Sequence, residues 1–482
     1  MPSVTWPVHV PAGMLRLWLD RLVPETVRMQ QGSETAVAAA LGRLRAADEH
    51  VAGDAEAALG SLTWDQGLQA ITQHGLQTFL WHELPRKWLT DLEGKLHIAA
   101  SLGRLLELVG LRRYAAICRG PETTAVLQAY ERSSREGFRG FRRAQERSGV
   151  EPPDLPGPPL WFAWGPVMGE QEAGAFFSVA AALELAVAGG ELRPGARGWH
   201  AAQQAVARRH LATPRPELDG HSWLELVAAE RLGGWARSRG EARRALVEPV
   251  LPRLAGRPLL PLPVPPGAEG ALAPLRWLLA LAGKGRGIAL TQVGNLNRPT
   301  VIEAVRRFDW HPLPEPPRGE DDVFELWVLR DLARDLGAVR RSGRWLVATH
   351  AGRALASDPE ALWYAVAHRL GSGHDLAATV TELALLVLVE AGEVAEATLV
   401  QRVGAGVVGE GWHERASGRS PDAQTVRAQL AALLRLLEAL GLRRAGGDWR
   451  TRWVALTEPG RALALEALRA RATGPRPDPR GP

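Results

Sequence analysis

A chain of 482 residues, 46% apolar and 23% charged, has material for two to four domains with buried cores and the composition of a globular protein. It has no uncharged apolar run of about 18 residues, so no membrane span is expected. Its single cysteine, Cys118, excludes an intrachain disulfide and any multi-cysteine zinc site. The net charge of +5 and pI near 9.9 suit a nucleic-acid partner. However, Lys87, Lys95 and Lys284 are the only lysines, and the other 55 of 58 basic residues are arginine. With so much Ala, Gly, Leu and Pro, that surplus reads as GC-rich codon supply. The N-terminus has no basic region leading into a long apolar stretch, so a signal peptide is not expected, and elimination places the chain in the cytoplasm.

Residues 1–256 read as one all-α domain, with a possible division into two lobes near 150–166. Met14 to Leu22 is a short apolar run closed by Pro24, and Thr35 to Leu62 is rich in helix formers. A helix is expected over Trp64 to Trp81, with Thr63 as its N-cap and Asp65 in the first turn. Leu89 to Val109 repeats apolar residues at helical spacing and ends at Gly110. Pro121 opens a further helix. In Arg132 to Arg147, RSSREGFRGFRRAQER, arginines alternate with Phe138 and Phe141. Such a pattern can bind single-stranded nucleic acid. The plainer reading is an amphipathic helix with both Phe in the core and its Arg in water.

A Pro-rich connector runs from Val150 to Pro166, and helices resume over 169–188, 198–211 and 222–254. Gly233-Gly234 predicts a break or a kink in the last of these. Arg257 to Pro266, with five prolines in ten residues, is the clearest linker, and we set a linker at 257–271.

Beyond it the pattern changes. Ala273 to Ala282 is a short apolar helix, GKGRG is a turn, and Ile288 to Leu290 has a short strand's length. Thr300 to Phe308 is a second helix after Asn297 and Pro299. Asp322 and Glu325 suggest a capping pattern for a third, over Val323 to Leu336. Then follow strand Arg340-Arg341, turn Ser342-Gly343, strand Trp345 to Ala348 and the cap Thr349. The order recurs: helix Leu376 to Glu390, a shorter one over Glu396 to Val403, a Gly-rich insertion from Gly404 to Gly418, and a third helix after Ser420-Pro421-Asp422. A hairpin turning near Gly446-Gly447 and the cap Thr457 close the copy. The strings LGAVRRSGRWLVATHAGRAL (336–355) and LGLRRAGGDWRTRWVALTEPGRAL (440–463) carry the repeat. The tail, 471–482, is Pro-rich and expected to be disordered.

Helix, short strand, helix, helix, hairpin and capped closing helix is the order of a winged helix-turn-helix. The second string resembles the C-terminal part of bacterial winged-helix regulators. LTQVGNLNRPTV is also similar to a stretch of winged-helix proteins of GC-rich bacteria, a likeness that carries no activity. The resemblance covers about 272–357 and 374–468, and we set winged-helix domains at 272–370 and 371–470. The fold class is mainly α, an all-α N-terminal domain followed by two winged helices.

The resemblance implies DNA reading by exposed residues of the third helix, with the wing on phosphate or minor groove. In the second copy these are Gln424, Arg427 and Arg435 on the helix and Arg443, Arg444, Arg450 and Arg452 on the wing. The third helix of the first copy carries Asp321, Asp322, Glu325, Asp331 and Asp335, which repel phosphate, so only its wing (Arg340, Arg341, Arg344) is basic. Two functions stay open. One is a DNA-associated protein, such as a transcriptional regulator, using the second copy on double-stranded DNA. The other is an assembly scaffold, with a protein partner on the first copy.

LLELVGLRR (105–113) echoes LLEALGLRR (436–444), but no wing follows it. No P-loop, paired-His metalloprotease motif or nucleophile elbow occurs. His residues are scattered, and Cys118 reads as a small buried residue. No enzyme activity, cofactor, metal or membrane partner is expected.

Overall fold

The computed structural model describes residues 23–63, 67–156, 161–237, 240–255, 264–310, 315–413, 418–448 and 451–476. The expected elements at 14–22, residues 257–263 of the linker, Arg450 and the tail from 477 fall outside these. The protein is mainly α, with two small three-stranded sheets. It divides into two compact units. The first comprises 1–154 and 168–226, the second 155–167 and 227–482.

The first unit is built on α1 (Val23–Ala47), α2 (Glu49–Thr63) and, after a broken stretch, α5 (Leu92–Leu108). Ala40, Ala52, Ala55 and Ala58 are fully buried where these helices meet, and small side chains allow the close approach. The helix expected over 64–81 is several short pieces: a 3-10 turn (Leu68–Ala70), α3 (Gln73–Thr78), a π turn (Phe79–Glu83) and α4 (Leu84–Lys87). The cap of α3 is the Thr72 hydroxyl, which accepts the Gly75 N–H at 3.1 Å. Thr63 instead ends α2, its hydroxyl donating to the Leu59 carbonyl at 2.8 Å. Pro85 has no N–H to continue an α ladder, and the π turn lies just ahead of it.

α6 (Arg112–Cys118), α7 (Pro121–Arg132) and α8 (Ser134–Ser148) follow. Cys118 is buried, and burial pushes its thiol up to about 12. α9 (Glu170–Ala188) and α10 (Trp199–Ala212) complete the unit. Among the described residues, α9 has the length and hydropathy of a membrane span. It also carries the buried Glu172 and Glu184. Glu184 accepts the Gln73 N–H at 2.7 Å and the Tyr114 hydroxyl at 2.6 Å, which orders the start of α3.

The units meet in sequence inside α11 (Trp223–Arg237), after Leu226, and not at the Pro-rich linker. Trp235, Leu246, Val247, Val250 and Leu254 belong to the core of the second unit. That places α12 (Glu241–Val247) and α13 (Leu251–Ala255) in it as well. Gly233-Gly234 does not break α11, because Trp235 anchors it: the indole N–H donates to Glu382 at 3.1 Å.

After α14 (Ala268–Ala271) come two modules of the same order. The first is α15 (Ala273–Ala282), β1 (Ile288–Ala289), α16 (Arg298–Phe308), α17 (Phe324–Asp335), β2 (Val339–Ser342), β3 (Trp345–Ala348) and α18 (His350–Ser357). α19 (Pro359–Gly371) then leads to the second: α20 (Leu376–Ala391), β4 (Glu393–Ala395), α21 (Glu396–Gly409), α22 (Ala423–Ala439), β5 (Arg443–Gly446), β6 (Trp453–Leu456) and α23 (Glu458–Thr473). The sheets have matching antiparallel orders, β1-β3-β2 and β4-β6-β5. Their hairpins register Arg341 with Leu346 and Arg444 with Ala455. This arrangement is compatible with a winged helix. One apolar core runs through both modules.

Two expectations need correction here. The Gly-rich insertion begins as helix, since α21 reaches Gly409; Gly406 lies against Leu383 of α20 where a larger side chain would crowd. Asp322 does not cap α17, whose N-cap Val323 has no side-chain bond. Its carboxylate takes the Arg318 N–H at 2.7 Å instead.

Candidate functional site

The repeated string explains itself in backbone terms. Gly337 and Gly441 end the third helices at φ 61 and 65, the left-handed conformation that glycine adopts without strain. Each closes the helix in the same way, with Ala338 N–H on the Ala333 carbonyl at 2.9 Å and Leu442 N–H on the Leu437 carbonyl at 2.7 Å. The Thr349 hydroxyl accepts the Gly352 N–H at 3.0 Å, and the Thr457 hydroxyl accepts the Gly460 N–H at 3.1 Å. A side chain at Gly352 would collide with the Ala338 carbonyl, and one at Gly460 with that of Leu442. Thr-x-x-Gly therefore caps the closing helix and seats it on the hairpin's first strand.

The candidate DNA-reading residues differ sharply in surroundings. Gln424 and Arg427 are exposed in the first turns of α22. Ahead of them, the Thr425 N–H holds the Asp422 carboxyl below the usual carboxylate range. Arg435 lies 4.2 Å over the ring of Phe324, on the third helix of the other module, because α17 and α22 pack on one another. Trp327 lies 5.4 Å from Phe324 and is 46% exposed. The Arg443 side chain is only 5% exposed, donating to the Leu434 carbonyl at 2.7 Å and pairing with Glu438. Arg452 pairs with Glu396 at 3.2 Å. Arg444 is exposed, and Arg450 lies outside the described residues.

In the first module, Asp321 accepts the Asn295 side-chain amide at 3.0 Å and Asp335 pairs with Arg369. The hairpin arginines Arg340, Arg341 and Arg344 are exposed.

Two buried ionic clusters escaped the sequence reading. Glu382, in the middle of α20, accepts Arg243 at 2.5 Å and Arg471 at 2.9 Å. Arg243 is fully buried and stacks 4.5 Å over Trp235. Glu320 accepts the Leu296 N–H at 2.6 Å and Arg330 at 2.7 Å. Burial raises the Glu320 pKa and lowers that of Arg330. The signal for the first was visible as a carboxylate in the apolar middle of LAATVTELALLVLVEA, whose other acid, Glu390, stands in the last turn. Both clusters lock elements together.

In the first unit, Ser178 Oγ lies 2.8 Å from His210 Nε2, and the Trp223 indole donates to the same Oγ at 3.1 Å. His210 lines a cavity of about 580 Å³ with Arg209, Arg215, Glu191 and Glu217. A serine beside a histidine invites comparison with nucleophilic catalysis. However, it is the Arg215 guanidinium that sits 2.8 Å from Nδ1, where an orienting carboxylate would be needed. Burial and that charge bring His210 down to about 4, the wrong direction for a general base at neutral pH. Among the described residues no group of three His, Cys, Asp or Glu could hold a metal ion.

A family model described as the Y4jL N-terminal domain matches residues 272–361, the first module. No curated protein and no solved structure matches the chain.

Proposed function

We propose that the two modules are winged helices and that they act as one assembly scaffold, not as a pair of DNA readers. The observation that carries this is the packing of α17 on α22, with Arg435 stacked over Phe324. In a DNA-bound winged helix the third helix lies in the major groove. Here each third helix covers part of the other. Arg435 is engaged in that contact, and Arg443 is tied to the helix it follows. The carboxylates along the third helix of the first module disfavour a phosphate backbone as well. The lone, buried Cys118 suits a reducing compartment, and we assign the chain to the cytoplasm.

The test is binding of the full chain to mixed-sequence and genomic duplexes, followed by fluorescence anisotropy. R427A/R435A/R444A/R452A should leave affinity and salt dependence unchanged, and no duplex should be preferred. Sequence-preferring binding that this variant abolishes while keeping its helical circular dichroism would overturn the scaffold reading in favour of DNA recognition by the second module.

A second reading rests on a separate observation. The first wing carries the exposed Arg340, Arg341 and Arg344, which could touch phosphate without reading bases. R340A/R341A/R344A would then lower the salt dependence of duplex binding without changing any sequence preference. An unchanged salt slope would exclude this reading.

A further inference from the structure

The Arg-rich helix α8 belongs to the first unit and plays no part in the scaffold. Its apolar side is committed: Phe141 is 7% exposed, its ring stacks on His82 with centroids 5.0 Å apart, and Phe138 lies 6.0 Å from the same imidazole. The two phenylalanines are thus packing residues and offer no platform for stacking bases. Gly137 lets α8 lie directly on Tyr130 of α7, where any side chain would strike the phenol ring. The helix is firmly seated, so its outer face is presented in a fixed orientation.

That face is divided by charge pairing. Arg132 bonds Glu136 at 2.7 Å, Arg142 pairs with Glu151 at 3.4 Å and Arg147 with Glu122 at 3.8 Å. Arg135, Arg139 and Arg143 are exposed, and none has a carboxylate within the 4.0 Å ion-pair distance among the described residues. They stand four residues apart, so they form one row along the helix, about 6 Å from one to the next. Arg86, hydrogen-bonded to the His82 ring that stacks on Phe141, is exposed near the same helix.

We propose that this row of Arg135, Arg139 and Arg143 is a docking surface for the phosphate backbone of nucleic acid. A straight, evenly spaced row of guanidinium groups complements a regularly charged polyanion, and guanidinium groups bond phosphate through paired N–H donors. Because the aromatic side is buried, contact is with phosphate and not with bases. Binding is therefore independent of sequence and favours the higher charge density of a duplex over a single strand. An anionic membrane is disfavoured, since an amphipathic helix binds lipid by inserting the apolar face that α8 has already buried.

The experiment uses the full chain and a fluorescein-labelled, mixed-sequence duplex, with anisotropy read over a salt series. R135A/R139A/R143A should bind at least about tenfold more weakly at low salt, with the log–log salt slope reduced by about two to three. Substituting the paired arginines, R132A/R142A/R147A, should have a smaller effect, and R135K/R139K/R143K should retain most of the binding. Exposed Ala and Lys are good helix formers, so circular dichroism should be unchanged; the milder R139Q gives a partial loss if the triple Ala variant misfolds. The proposal is overturned if the wild type does not bind the duplex at low salt, or if R135A/R139A/R143A binds with unchanged affinity and slope. It is equally overturned if polyglutamate displaces the duplex at equal charge, which would indicate an acidic protein surface, or if phosphatidylserine vesicles are bound in its place.

Discussion

The two modules of the second unit share a backbone plan and differ in what surrounds it. Both end the third helix on a left-handed glycine, both cap the closing helix with Thr, and both press that helix onto the hairpin through a glycine. Away from those positions they diverge. The first buries its Glu320–Arg330 pair internally, whereas the second sends Glu382 to Arg243 of α12 and Arg471 of α23. Backbone requirements kept the string alike, while the side chains around it were free to take up different partners.

The largest test of that difference is to remove each buried carboxylate. Glu382→Ala strands two arginines and should cost about 3–5 kcal/mol, seen as a lowered denaturant midpoint of the second unit. Glu320→Ala strands one arginine, Arg330, and the Leu296 N–H, and should cost less. Equal losses would show that the two clusters bear the same load. Next come the seating glycines. Gly352→Ala and Gly460→Ala should each destabilise by about 1–3 kcal/mol, and by similar amounts if the shared backbone plan matters equally in both modules. A tolerated Gly460→Ala would mean that the second closing helix can shift.

Removing the caps is milder. Thr349→Ala and Thr457→Ala should each cost about 1 kcal/mol, with faster amide exchange at Gly352 and Gly460 as the local readout. The smallest effect is the link between modules. A double-mutant cycle on Phe324→Leu and Arg435→Ala should give a coupling of about 0.5–1 kcal/mol, as for a partly exposed cation–ring contact. Zero coupling would leave the packing of α17 on α22 without a contribution from that pair.

Much of this was legible in the sequence because it lies in local backbone chemistry. Leu-Gly predicted the end of each third helix, and Thr-x-x-Gly predicted each cap. The echo at 105–113 shows what such a string does and does not encode. Leu111 N–H reaches the Leu106 carbonyl at 2.8 Å, the same closure as at Leu442, yet α6 follows in place of a strand. Gly-Leu at the end of a Leu-rich run signals a helix end and carries no information about the next element. What could not be read was long-range. The contact of Arg435 with Phe324 joins positions over a hundred residues apart, and periodicity cannot say which exposed face another helix will cover. The division inside α11 escaped for a similar reason: proline content marks where helices stop, whereas core membership follows from residues such as Trp235 and Val250.

Residues 155–167 lie between two segments of the first unit yet belong to the second. There Leu155 and Phe162 form an antiparallel bridge, Arg231 donates to the Ala163 carbonyl at 2.8 Å, and Trp161 stacks 4.7 Å from His368. The polypeptide therefore passes from one unit to the other, back, and across again. Neither unit can be excised by a single cut. A fragment ending at the Pro-rich linker would carry the apolar surface of α12 and α13 without its core, and during synthesis this short segment must wait for residues made long after it before it can settle.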